Sequence, residues 1–173
     1  MRALVYGGSG SGKSAFAEDL AASLSDRRIY LATMPASGEE SKARILRHRA
    51  ARESKGFVTV EYAGDPVRLR LPGDCGCLLL EDAGNLAANA LFERGVPPGE
   101  APSMLFEGIL SLAGQTEHLV IVTVDVFSDG ICYREETQDY LSCLARLNLR
   151  LASWADTLTE VVCGLPIYHK NSR

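Results

Sequence analysis

The sequence predicts an α/β domain built on a mostly parallel central sheet. Three observations carry that prediction. Short β-rich runs alternate with longer helical patterns along the chain, and several of those runs are continuous rather than alternating in apolarity. The first run also ends in a glycine-rich turn that opens a helical stretch. At 173 residues the chain is expected to be one domain, 1–173, since about 150 residues per domain is usual. Its 46% hydrophobic and 23% charged residues exclude the disordered and fibrous classes.

The strands are expected at Ala3–Tyr6, Arg28–Thr33, Phe57–Tyr62, Cys77–Glu81, Leu119–Val124 and Thr159–Cys163. Helices fall between them. The clearest runs from Glu135 to Trp154, where Tyr140, Leu144, Leu147, Leu151 and Trp154 recur every three to four residues. Another is expected from Glu39 to Ser54, with Ser37 and Glu40 at capping-box spacing. Others cover Ser14–Leu24, Ala83–Arg94 and Ser103–Ala113, the last following the break at Pro97-Pro98-Gly99. No repeat or low-complexity stretch interrupts the pattern.

The formal net charge of −4 argues against a nucleic-acid-binding protein, which would usually be basic. The five cysteines (Cys75, Cys77, Cys132, Cys143, Cys163) are odd in number and lack a second close-set pair or a nearby His, so a zinc site is not expected. They read as reduced, mostly buried thiols of a cytoplasmic protein. The start, Met-Arg-Ala-Leu-Val-Tyr into Gly7-Gly8, leaves no room for a signal peptide, and the run Leu119–Val124 is too short to span a membrane.

Residues 7–14, Gly-Gly-Ser-Gly-Ser-Gly-Lys-Ser, match G-x-x-x-x-G-K-[ST] through Gly7, Gly12, Lys13 and Ser14. Glycines let the backbone wrap closely enough for successive N–H groups to point at phosphate oxygens, and the helix that follows adds its positive end. Lys13 is expected to reach the terminal phosphates and the Ser14 hydroxyl to ligate Mg²⁺. A chance Gly/Ser turn would not sit between a strand and a helix, as this segment does. Such a loop also needs an acid at the end of another strand. Cys77-Leu78-Leu79-Leu80-Glu81-Asp82 offers two carboxylates, either of which could hold the metal through water while the other caps the next helix; Glu81 is favoured for the metal.

Between Lys42 and Lys55 the chain turns basic: Lys42, Arg44, Arg47, Arg49, Arg52 and Lys55 face a lone Glu53. Arg44, His48 and Arg52 are four apart and share a helix face. Flanking guanidiniums disfavour an imidazolium, leaving His48 neutral and available as nucleophile or base, while the arginines suit phosphoryl charge. On the residues alone a solvated cationic face with an incidental His is the favoured reading, because charge runs usually just face water. His118 and His169 have no partner at useful spacing and read as surface or turn residues. Thr33 ends a strand beside the phosphate loop, and Glu61 ends another facing solvent.

These features together resemble the adenosylcobinamide kinase / adenosylcobinamide-phosphate guanylyltransferase family of cobalamin biosynthesis. The resemblance rests on Gly7–Ser14, Tyr30-Leu31-Ala32-Thr33, Ala43-Arg44-Ile45-Leu46-Arg47-His48-Arg49, Leu79-Leu80-Glu81, Asn89-Ala90-Leu91-Phe92, Val120-Ile121-Val122-Thr123, and Arg146-Leu147-Asn148-Leu149-Arg150-Leu151-Ala152 with Ala155-Asp156. It implies a RecA-like P-loop NTPase fold of three layers. It also implies a bifunctional enzyme that phosphorylates adenosylcobinamide with a nucleoside triphosphate, ATP or GTP, and then transfers GMP from GTP through a guanylylated histidine. Carried over by position, that histidine is His48, with Lys13 the other catalytic residue. Nucleotide contacts fall on Gly7, Gly8, Ser9, Gly10, Ser11, Gly12, Lys13, Ser14, Ala32, Thr33, Met34, Arg49, Ala50, Ala51, Arg52, Glu61 and Glu81. A corrinoid bound between the subunits of a homo-oligomer, a trimer, is further implied. The chain departs from the family pattern after Thr123, where Val124-Asp125-Val126-Phe127 replaces Asn-Glu-Val-Gly and Asp125 keeps a carboxylate. It departs again at Leu149, where the family tends to carry Gln, and across Arg134–Asp139. The alternatives at this point are another P-loop small-molecule kinase, a branch with one of the two activities, or a nucleotide-binding regulatory protein.

Overall fold

A computed structural model describes residues 1–34, 55–127, 130–131 and 133–171. The elements run β1 (Arg2–Gly7), α1 (Lys13–Leu24), β2 (Arg28–Ala32), β3 (Phe57–Glu61), β4 (Cys75–Glu81), α2 (Ala83–Ala88), α3 (Ala101–Ala113), β5 (Thr116–Val124), α4 (Glu135–Trp154), β6 (Thr157–Val162) and β7 (Leu165–Lys170). One seven-stranded sheet has the order β3-β2-β4-β5-β1-β6-β7. All its pairs are parallel except β6–β7.

The continuous apolarity of the central strands follows from cover on both faces. Leu4, Leu31, Leu78, Leu80, Leu119 and Ile121 pack under the helices that carry Leu86, Leu105, Ile109, Leu144, Leu147 and Leu151. Their neighbours in sequence, Ala3, Val5, Tyr30, Leu79, Val120 and Val122, point the other way onto Ala17 and Ala21 of α1. One strand therefore feeds two cores, and the result is three layers. At Gly108 of α3 an added Cβ would lie 2.7 Å from Pro66 Cβ, so glycine lets that helix seat on the short turn Pro66–Arg68.

All six expected strands are present, with β4, β5 and β6 beginning two or three residues early. The helix Glu135–Trp154 has the expected bounds, and α3 starts at Ala101 with Pro102 in its first turn. Three expectations need correction. The helix over Ala83–Arg94 is broken: α2 stops at Ala88 and Asn89–Glu93 forms a wide π-type turn, in which Arg94 N–H donates to Asn89 O at 3.0 Å. The chain also does not end on β6. Cys163 and Gly164 take positive φ (50° and 80°), a two-residue turn that returns β7 antiparallel. Finally, His118 and His169 lie in strands and have partners, the amino terminus (2.9 Å from Nδ1) and Glu160 (2.8 Å from Nε2), although His169 is at the surface as expected. The helix expected over Glu39–Ser54 lies outside the described residues. Among the described residues no helix is long and apolar enough to cross a membrane. Cys75, Cys77 and Cys143 are buried free thiols and Cys163 is an exposed one.

Candidate active site

The loop Gly7–Ser14 leaves β1 and runs into α1 at the carboxyl edge of the sheet. Gly10 (φ 71°) and Gly12 (φ 92°) sit in the left-handed region that favours glycine, and Gly12 is the residue before the first turn of α1. No side chain caps that turn, and it contains no acidic residue. Its N–H groups and the helix dipole are left for an anion from outside the helix. Residues just past β5 and β6 brace the loop: Asp125 N–H donates to Gly7 O (3.0 Å), and Gly164 N–H, from the turn after β6, to Ser11 O (2.8 Å). The Lys13 ammonium folds back onto Gly8 O at 3.1 Å, so it lies across the loop where terminal phosphates would sit.

The two adjacent carboxylates after β4 divide their work. Asp82 Oδ1 accepts from Asn85 N–H at 2.7 Å and caps α2. Glu81 instead points to the loop, where Oε1 accepts from the Ser14 hydroxyl. Its second oxygen, Oε2, is buried with no hydrogen-bond partner. Burial pushes the Glu81 carboxyl above its ordinary range, the Ser14 bond pulls it down, and the nearby Asp82 and Glu18 push it further up. A hydroxyl and a carboxylate with one orphaned oxygen are hard donors of the kind Mg²⁺ accepts, together with phosphate and water. Ser14 and Glu81 therefore fit a magnesium ion. Among the described residues no group of three or more His, Cys, Asp or Glu gathers to hold a metal unaided.

Thr33 follows β2 and is fully buried; its hydroxyl bonds Glu81 O and Asp82 O, both at 2.9 Å. Ala32 ends β2 and Met34 is exposed beyond it at the same edge. Glu61 ends β3, opposite Ala32 in register, and is exposed. The structure thus brings Gly7, Gly8, Ser9, Gly10, Ser11, Gly12, Lys13, Ser14 and Glu81 together, with Thr33 bonded behind Glu81, and leaves Glu61 at the end of β3, the edge strand beyond β2 and far from β1 in the sheet. His48, Arg49, Ala50, Ala51 and Arg52 lie outside the described residues. Lys55, the first described residue after them, is moored on α1 by Glu18 and Asp19, each at 2.9 Å.

Two supporting residues escape the sequence reading. Asn89, buried in the π-type turn, donates from Nδ2 to Thr33 O at 2.8 Å and so fixes the strand end behind Glu81. Tyr140 reaches from α4 toward Asp82 and the α2 start, and burial raises its phenol to about 12. The Asn-Ala-Leu-Phe segment was a signal for the first; nothing local distinguishes Tyr140 from the core residues of its helix.

Residues 3–168 match the family described as CobU, cobinamide kinase / cobinamide phosphate guanyltransferase. The chain is 30% identical over 170 residues to the bifunctional adenosylcobalamin biosynthesis protein CobP of Pseudomonas aeruginosa, covering 96% of both chains. Among solved structures it resembles the flagellar accessory protein FlaH of Methanocaldococcus jannaschii, with a TM-score of 0.54 at 11% identity over 99% of this chain and 78% of that one. The likeness to FlaH concerns the fold, which is RecA-like.

Proposed function

The chain belongs to the cobinamide kinase / cobinamide phosphate guanyltransferase family, and we propose that this single chain carries out both of that family's reactions. It phosphorylates adenosylcobinamide from a nucleoside triphosphate, and it then transfers GMP from GTP onto the new phosphate. The observation that carries this reading is the intact phosphate loop, with Ser14 bonded to Glu81, inside a family match that spans nearly the whole chain.

Each residue of the loop has a definite task in both transfers. The N–H groups of Gly8–Ser14 and the start of α1 hold the triphosphate, and Lys13 swings from Gly8 O onto its terminal oxygens. Ser14 and Glu81 hold Mg²⁺, which when bound supplies charge neutralisation on the phosphates. For the guanylyl step we assign the nucleophile to His48, four residues from Arg44 and from Arg52 in sequence: its imidazole attacks the α-phosphorus of GTP, the α–β phosphoanhydride bond breaks and pyrophosphate leaves, with arginines of the segment suited to the developing charge. Two described facts support that assignment. Met34, which precedes this basic segment, leaves β2 at the loop's edge of the sheet, and Lys55, which ends the segment, is bonded to the loop's own helix.

Incubation with α-labelled GTP is expected to leave acid-labile label on the wild-type protein and none on His48→Ala, while Lys13→Ala loses both reactions. Label retained by His48→Ala would remove that histidine from its role. Absence of label from the wild type, with adenosylcobinamide still phosphorylated, would reduce the chain to its kinase half.

A further inference from the structure

Three carboxylates end strands around the phosphate loop, and only two have been given work. Glu81 serves Ser14 and Asp82 caps α2. The third is Asp125. It follows Val124, which is paired with Gly7, so it stands level with Gly8, the residue whose carbonyl holds the Lys13 ammonium. Its backbone N–H donates to Gly7 O at 3.0 Å. Its carboxylate is oriented by two donors, Phe127 N–H (3.1 Å to Oδ1) and the phenol of Tyr6. A carboxylate fixed in this way stands just past the end of β5, the strand between β1 and β4, at the sheet edge from which the phosphate loop springs.

The side from which it approaches matters. Glu81 meets the loop at the start of α1, on the α1 face of the sheet. Tyr6, the partner of Asp125, instead lines an open cleft of about 600 Å³ on the α4 face, with Thr123, Phe127, Asn148, Leu149 and Glu160. The cleft is largely apolar, and Tyr6, Thr123 and Phe127, from the end of β1 and from the end of β5 and just beyond it, are part of its lining. Phosphoryl transfer with the attacking and leaving oxygens in line requires the acceptor to reach the γ-phosphorus from a side that neither the metal nor the leaving diphosphate occupies.

We propose that Asp125 is the catalytic base of the kinase reaction, receiving the proton of an alcohol that is presented on an apolar body from the cleft beside α4. The proposal rests on the kinase reading above. As the acceptor oxygen bonds to the γ-phosphorus, its proton passes to an Asp125 carboxylate oxygen. The bond from the γ-phosphorus to the β–γ bridging oxygen breaks, and its electron pair leaves with the nucleoside diphosphate, whose charge Lys13 meets. Tyr6 orients the carboxylate and does not touch the reacting atoms.

The test compares wild type with Asp125→Asn and Asp125→Glu, using adenosylcobinamide as acceptor and, separately, water through slow release of inorganic phosphate from GTP. Asp125→Asn is expected to lower kcat for phosphoryl transfer roughly 10²- to 10⁴-fold, the usual contribution of a positioned base. The KM for GTP and the α-label on the protein should stay within about threefold, and Asp125→Glu should recover part of the rate. An Asp125→Asn rate within threefold of wild type would overturn the assignment, as would a loss of GTP affinity and melting temperature in parallel with the rate. If wild type phosphorylates no adenosylcobinamide, the acceptor reading fails separately. The hydrolysis comparison then decides Asp125 alone, with equal rates in both proteins overturning it.

Discussion

Replacing Gly7 by alanine tests whether the phosphate loop is held in shape by contact with β6. An added Cβ at Gly7 would lie 2.6 Å from Ser11 Oγ and 2.7 Å from Val161 O. The serine side chain can turn away, but the carbonyl belongs to the backbone of β6 and is fixed by the sheet. Forcing a methyl into such a site costs about 1–3 kcal/mol. For a chain of this size that lowers the melting temperature by roughly 2–12 °C. Gly8, one residue on, supplies the control, since nothing lies within 4 Å of its added Cβ. Gly8→Ala should therefore melt within about 0.5 kcal/mol of wild type. The assay is thermal unfolding of the three proteins together with their affinity for GTP, which Gly7→Ala should lose as the loop shifts. A Gly7→Ala protein that melts and binds like wild type, or a Gly8→Ala protein that melts as low as Gly7→Ala, would refute the contact argument.

Two further substitutions probe the frame around the site. Asn89→Ala removes the donor to Thr33 O from a buried position, which costs about 1–3 kcal/mol and should lower the melting temperature and raise the KM for nucleotide together. Asp156 accepts from both the backbone N–H and the guanidinium of Arg2, and the Arg2 hydrogen bond holds its carboxyl below the ordinary 3.8. A carboxyl lowered on folding stabilises the folded state above 3.8, and the benefit is lost as pH falls through its folded-state value. Asp156→Asn should accordingly melt below wild type at pH 7, and the gap should close in scans carried below pH 3.8.

The sheet was legible because its strands are covered on both faces, so that Leu4, Leu78–Leu80 and Leu119–Val122 appear as unbroken apolar runs that flanking residues delimit. The phosphate loop was legible because its chemistry leaves few residue types to choose from. The division of Glu81 and Asp82 followed from position alone, one residue at a strand end and the next before a helix. What escaped depends on partners far apart in sequence. Strand β7 is an edge strand with most of its side chains exposed, so no apolar run announces it. Its one local signal is Cys163-Gly164, a pair that suits a tight turn with positive φ. The break of the helix at Asn89 answers to Thr33, 56 residues earlier. His118 finds its partner at the amino terminus, a contact created only when β5 pairs beside β1.

Strand order also explains why one loop can serve two transfers. The acid that meets Ser14 comes from β4, and with β5 lying between β4 and β1 it bridges a separation of roughly 10 Å at about 4.8 Å per strand. A glutamate at the end of β4 makes that reach, and the shorter Asp82 turns to the backbone of α2. The intervening strand delivers a different carboxylate, Asp125, level with Gly8, and the phenol that orients it, Tyr6, lines the cleft on the α4 face. On the proposed reading, the pair that would hold magnesium and the base of the kinase step approach the same cradle from opposite faces of the sheet. Loss of Glu81 should therefore disable both transfers, whereas loss of Asp125 should disable only the one in which an alcohol must give up its proton.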